Sequence, residues 1–131
     1  MLNLSYEDYI LSSESLKLLS NWQKLQEFNS QVEFLKQAEF TFFRNDKQIM
    51  TTLMEEVINT IPEKVNTITI QSRWTVVETT VMKLYDVLNL NAPSKELKLT
   101  AIKEVLSAVS NLNLLINKKL ELDANNIERP N

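Results

Sequence analysis

Glycine is missing from this chain of 131 residues, as are cysteine and histidine, and proline occurs only three times. Each absence removes a class of function. Phosphate-cradling loops of the G-x-G-x-x-G and P-loop kinds need glycine backbones. β-Hairpin turns also lean on glycine at positive φ, so a sheet protein is disfavoured. Without Cys or His there is no Cys/His zinc site, no Ser-His or Cys-His nucleophile pair and no Glu-x-x-His di-iron motif. Disulfides cannot form, which suits the cytoplasm. Residues 1–8 have neither a basic region nor a long apolar run, so no signal peptide is expected. No purely apolar run approaches a membrane span.

What is present is helical. The chain is 44% hydrophobic and 24% charged, a globular balance at a length that suits one domain. Ile70, Trp74, Val77, Val81, Leu84 and Leu88 step by three and four residues, which lays six apolar side chains along one side of a helix. Val76, Thr80 and Val87 add a second stripe. A helix apolar on two sides needs neighbours on both, so residues 70–88 are expected at the centre of a bundle.

The other elements follow in order. Ser5 with Asp8 fits a capping box for a short opening helix through Leu11. Ser12 or Ser13 then caps a long helix with the stripe Leu18, Trp22, Leu25, Phe28, Val32, Leu35, Ala38 and Phe42. Asn29-Ser30 is one candidate break, and Arg44-Asn45-Asp46 is a better one. Whether 12–43 and 47–60 form one kinked helix or two is open. Lys47 to Thr60 carries Met50, Leu53, Met54, Val57, Ile58 and Ile61 on its inner face and ends before Pro62. Val65 to Ile70 has strand-like alternation but no partner strand, so it reads as a loop capped by Thr67 or Thr69. Pro93 fits the first turn of a last helix bearing Ile102, Val105, Val109, Leu112 and Ile116, widened by Leu99, Leu106, Leu115, Leu120 and Leu122.

The fold expected is all-α: a single domain built as an antiparallel bundle of about four helices of unequal length. Its parts are an acidic helical arm over 1–45, the bundle over 46–122 and a flexible tail over 123–131. Residues 1–43 hold six acids against three lysines, the whole of the net charge of −3. Helices of about 30, 15, 22 and 29 residues would measure about 45, 22, 33 and 44 Å. The longest two overhang, and both overhangs are apolar. Leu18, Leu19 and Trp22 at one end, with Leu115, Leu120 and Leu122 at the other, are candidates for self-association or for a protein partner. The alternative is that the two ends pack on each other.

Catalytic candidates are few. Glu55, Glu56 and Glu78 are carboxylates inside helices, but Glu55 and Glu56 are adjacent and point about 100° apart, so they cannot form a facing acid pair. No enzyme, cofactor or metal is expected. Lys64, Arg73, Lys95 and Lys98 are candidate phosphate contacts, although the charge balance does not favour nucleic acid, and no membrane association is expected.

From residue 46 to 122 the layout resembles one family. These are the four-helix-bundle proteins encoded within ribosomal RNA intervening sequences, with the accessory variability determinants of diversity-generating retroelements. The resemblance rests on Ile61-Pro62-Glu63-Lys64 at a turn, Gln71-Ser72-Arg73 opening a long helix, and Lys95-Glu96-Leu97-Lys98-Leu99 leading into a Leu-rich helix. It implies an oligomeric, non-catalytic accessory protein that holds a reverse transcriptase and its template RNA. Composition and spacing alone point to a non-enzymatic helical-bundle interaction protein, an oligomer or an adaptor in a larger assembly.

Overall fold

The computed structural model describes residues 4–128, an all-α bundle in which no strand occurs among the described residues. The helices are α1 (Ser13–Leu18), α2 (Gln23–Lys36), α3 (Thr41–Arg44), α4 (Lys47–Asn59), α5 (Ile68–Leu88) and α6 (Lys95–Glu128), with a 3-10 turn at Glu63–Val65. Their start signals are local. Ser12 Oγ accepts from the Ser15 amide, Asp46 from those of Gln48 and Ile49, Thr67 Oγ1 from that of Ile70, and Ser94 Oγ from that of Leu97. Each satisfies amide groups that a helix start leaves unpaired. Pro93 stands just before the Ser94 cap, outside the first turn expected for it.

α5 is the central rod. Its stripe of Ile70, Trp74, Val77, Val81, Leu84 and Leu88 is buried throughout, and each such side chain contributes about 1.5–3 kcal/mol. α6 runs antiparallel along one side of α5, while α3 and α4 pack on another. From α2, Phe28 sets its ring edge-on to Trp74 at 5.0 Å and to Phe43 at 6.5 Å. The second stripe is only partly covered. Val87 is buried and Thr80 half-buried, but Val76 is 45% exposed, because α6 and the α2–α4 group leave that edge of α5 open.

Four expectations are corrected. The helix expected over 12–43 is three helices, broken at 19–22 and at 37–40 and continuous through Asn29-Ser30. Leu25, Phe28, Val32 and Leu35 of α2 belong to the same core as α5, so this region is part of the bundle and not an arm. The tail expected from residue 123 is helical to Glu128; residues 129–131 lie outside the described residues.

The fourth correction concerns the opening helix. Residues 7–12 form a non-helical strap, because side chains on α6 take up the backbone groups a helix would have paired internally. Ser110 Oγ donates to the Glu7 carbonyl and accepts from the Tyr9 amide. Asn113 Nδ2 donates to the Tyr9 carbonyl and Asn117 Nδ2 to that of Ile10, while Asn117 Oδ1 accepts from the Ser12 amide and from Ser15 Oγ. Positions 110, 113 and 117 share one face of α6. On the other flank, Asp8 pairs with Lys36 of α2 at 3.1 Å instead of capping a helix.

The α2 terminus shows what a chain without glycine does at a left-handed position. The Ala38 amide donates to the Leu35 carbonyl and the Glu39 amide to that of Phe34, a Schellman motif with Ala38 at φ 63°. Ala92, after α5, is also left-handed at φ 53°. The left-handed conformation costs a residue with a Cβ about 1–2 kcal/mol. Glycine relieves that and gives back about 0.4–1 kcal/mol through its freer unfolded chain. Ala38→Gly is therefore expected to raise stability by about 0.5–1 kcal/mol, read as a rise of a few degrees in thermal midpoint.

By length and composition α6 could cross a membrane, but 56% of that apolar stretch is buried inside the bundle, as expected of a core helix. The rod is about 51 Å long against about 31 Å for α5, so its C-terminal turns run past its neighbour.

Candidate functional site

The apolar overhangs meet each other inside the chain. Leu19 and Trp22 are 2% exposed and Leu120 5%, while Leu115 is half-buried. Trp22 Nε1 donates to the Val57 carbonyl of α4 at 3.0 Å. α1 lies against α6, where Ser15, Leu18, Asn117 and Leu120 line one cleft. Of the candidate interface residues, Leu18 and Leu122 remain exposed and the others are spent on packing. Trp22 and Leu19 turn inward because the chain breaks at Ser20-Asn21, where Gln26 Nε2 donates to the Leu19 and Ser20 carbonyls.

The four candidate phosphate contacts are not brought together. Lys64 and Arg73 stand near the start of α5, and Lys95 and Lys98 at the start of α6, beyond the other end of α5. About 22 Å of helix separates residue 73 from residue 88. Lys83, nearby on α5, is paired with Glu104 at 3.0 Å.

The carboxylates divide differently from the sequence expectation. Burial, and next the Glu55 carboxylate on α4, push Glu78 above the usual carboxylate range. Glu56 pairs with Lys24 at 3.2 Å, and this bond raises the lysine pKa. No group of three metal-ligating side chains occurs among the described residues.

The surface feature that the periodicity missed lies on α2, α3 and α4. Two adjoining clefts of about 750 and 490 Å³ share Gln31, Phe42 and Ile49 and together form one groove. Phe34, Phe42, Ile49 and Leu53 supply its apolar surface, with Phe34 52% and Ile49 61% exposed. Glu27 and Glu56 stand at one end, and Glu39 and Asp46 at the other. No lysine or arginine lines either cleft; Lys24, just outside, reaches Glu27 and Glu56. Hydrogen bonds from the Thr41 hydroxyl and amide hold Glu39 below the usual carboxylate range, so it stays charged. Asp46 is the cap of α4. The signal in the sequence was two large apolar residues, Phe34 and Ile49, off their helices' core stripes.

A scan against protein-family models finds no match to this chain. Comparisons with curated proteins and with solved structures likewise return no significant match.

Proposed function

We propose that this protein is a non-enzymatic interaction module whose α2–α3–α4 groove receives an amphipathic helix with basic flanks from a protein partner. The observation that carries the reading is the pairing of exposed Phe34 and Ile49 with an acidic rim free of lining cations. An apolar groove accepts the apolar face of a helix, and rim charges of one sign select the opposite sign and speed encounter. The same rim argues against two copies docking groove to groove. A two-fold axis there would set Glu27, Glu39, Asp46 and Glu56 against their own equivalents. The retroelement accessory reading calls for a continuous basic face, and its four cations lie at opposite ends of α5.

Titration of isotope-labelled protein with a designed Leu/Lys amphipathic peptide, and with its Leu/Glu counterpart, tests the proposal. The Lys peptide is expected to shift the amide signals of Gln31, Phe34, Phe42 and Ile49 and to weaken as salt rises. Ile49→Asp should lose about thirtyfold in affinity, as for truncation of an interface anchor, with the fold unchanged because Ile49 is exposed. Equal binding of the Glu peptide, or an unaffected Ile49→Asp variant, removes the proposal. A dimer in light scattering that Ile49→Asp dissolves would reassign the groove to self-association.

A further inference from the structure

The groove has a direction, and that direction narrows what can lie in it. One wall is a single stripe of α4. Asp46, Ile49, Leu53 and Glu56 step by three, four and three residues, so they share one face in the order acid, apolar, apolar, acid. The rise from Asp46 to Glu56 is about 15 Å of helix axis. α2 forms the facing wall and runs the other way. Lys24 near its start reaches Glu56 near the end of α4, while Phe34 near its end shares a cleft with Asp46 at the start of α4. Each end of the groove therefore meets one helix start and one helix end, whose opposite partial charges offset. Side chains decide the field at each pole.

The two poles are unequal. Lys24 reaches Glu56 at 3.2 Å and Glu27 at 3.6 Å, so one ammonium is divided between the two carboxylates at that end. At the other end Glu39 and Asp46 form no ion pair among the described residues. Their hydrogen bonds come from neutral donors. Glu39 Oε1 accepts from the Thr41 hydroxyl and amide, and Asp46 Oδ1 from the Gln48 and Ile49 amides. The second oxygen of each is left to an incoming donor. Arg44 lines neither cleft, and Lys47 sets its ammonium over the Tyr85 ring of α5, 5.8 Å from the centroid.

We infer that the groove takes a partner helix lying parallel to α4, whose facing stripe reads cation, apolar, apolar, cation at the same three-four-three spacing, with the N-terminal cation against Glu39 and Asp46. This rests on the groove being a helix site, as proposed above. Two helices side by side rise equally per residue, so a stripe of that spacing meets its complement at every step. The parallel sense follows from the unequal poles. The N-terminal end of a helix is positive and is drawn to the pole whose carboxylates lack an ammonium. At the Glu27–Glu56 pole Lys24 already supplies a cation, so the guest's C-terminal cation contributes less there.

The test uses the unaltered protein, isotope-labelled for NMR, and two acetylated and amidated alanine-based peptides of equal composition. The first carries the stripe Lys-x-x-Leu-x-x-x-Leu-x-x-Lys. The second keeps the leucines and moves both lysines to the opposite face. The first is expected to bind about fivefold tighter, the contribution of two exposed ion pairs. A nitroxide at its N-terminal end should broaden the Thr41 and Asp46 amide signals most, and one at its C-terminal end those of Glu27 and Glu56. Replacing its N-terminal lysine by glutamine should weaken binding about threefold, and replacing the C-terminal one less than about twofold. Lys24→Gln in the protein should make the two losses equal. Equal affinity of the two peptides, broadening at the opposite ends, or equal losses in the unaltered protein would each overturn the inference and leave the groove as a helix site. If neither peptide shifts Phe34 or Ile49, the helix-site reading falls with it.

Discussion

Trp22→Ala is expected to cost about 3–5 kcal/mol, a large share of the stability of a domain this size. The indole is 2% exposed and fills the joint where α1 turns into α2. Its removal opens a cavity beside α4 and takes away the Nε1 bond to the Val57 carbonyl. Nothing small can refill that space, because the backbone there is fixed by the Trp22 amide bond to Leu19 and by Gln26. Trp22→Phe separates the two losses: it keeps most of the apolar area and should cost about 1–2 kcal/mol for the missing donor. Urea unfolding followed by circular dichroism reads both. A change under about half a kcal/mol for Trp22→Ala would place the indole at a free surface, as the overhang expectation had it.

The second large effect is release of the strap. Asn117→Ala removes three hydrogen bonds, from the Ser12 amide, from Ser15 Oγ and to the Ile10 carbonyl. Buried bonds of this kind contribute about 1 kcal/mol each. Two of these three face solvent, so the expected cost is about 2 kcal/mol. The signature is regional: amide exchange at Tyr9 and Ser12 should accelerate to near the unprotected rate, while α5 amides should accelerate only in proportion to the loss of global stability. Asn111→Ala, an exposed position on the same helix, is the control and should change neither stability nor exchange. If the strap stays protected in Asn117→Ala, then Leu11 packing and the Asp8–Lys36 pair hold it, and the side-chain ladder on α6 is secondary.

How far the sequence could be read depended on the range of the interactions involved. α4 and α5 were legible because their signals are local: the Asp46 cap, the stop before Pro62, the Thr67 cap, and a stripe in which all six α5 positions proved buried. The strap was not legible, since Ser5-x-x-Asp8 fits a helix start by every local rule. What overrides it are partners 101 to 107 residues away. A trace was present, because Ser110, Asn113 and Asn117 repeat at helical spacing along one face of α6, beside its apolar stripe, a pattern that predicts a polar guest. The break at 37–40 was hidden by chemistry: a left-handed helix end announces itself through glycine, and here Ala38 takes the position. The groove was missed because attention to one stripe per helix discards residues such as Phe34 and Ile49 that fall outside it.

The strap also dictates an order of assembly. Its amides and carbonyls have no docking surface until residues 110–117 exist and have coiled into helix, so a segment made early must wait for one made late. The loop to be closed spans about a hundred residues, and that entropy is met only after α2, α5 and α6 have already drawn their ends together. Strap docking is thus the final seal of the molecule.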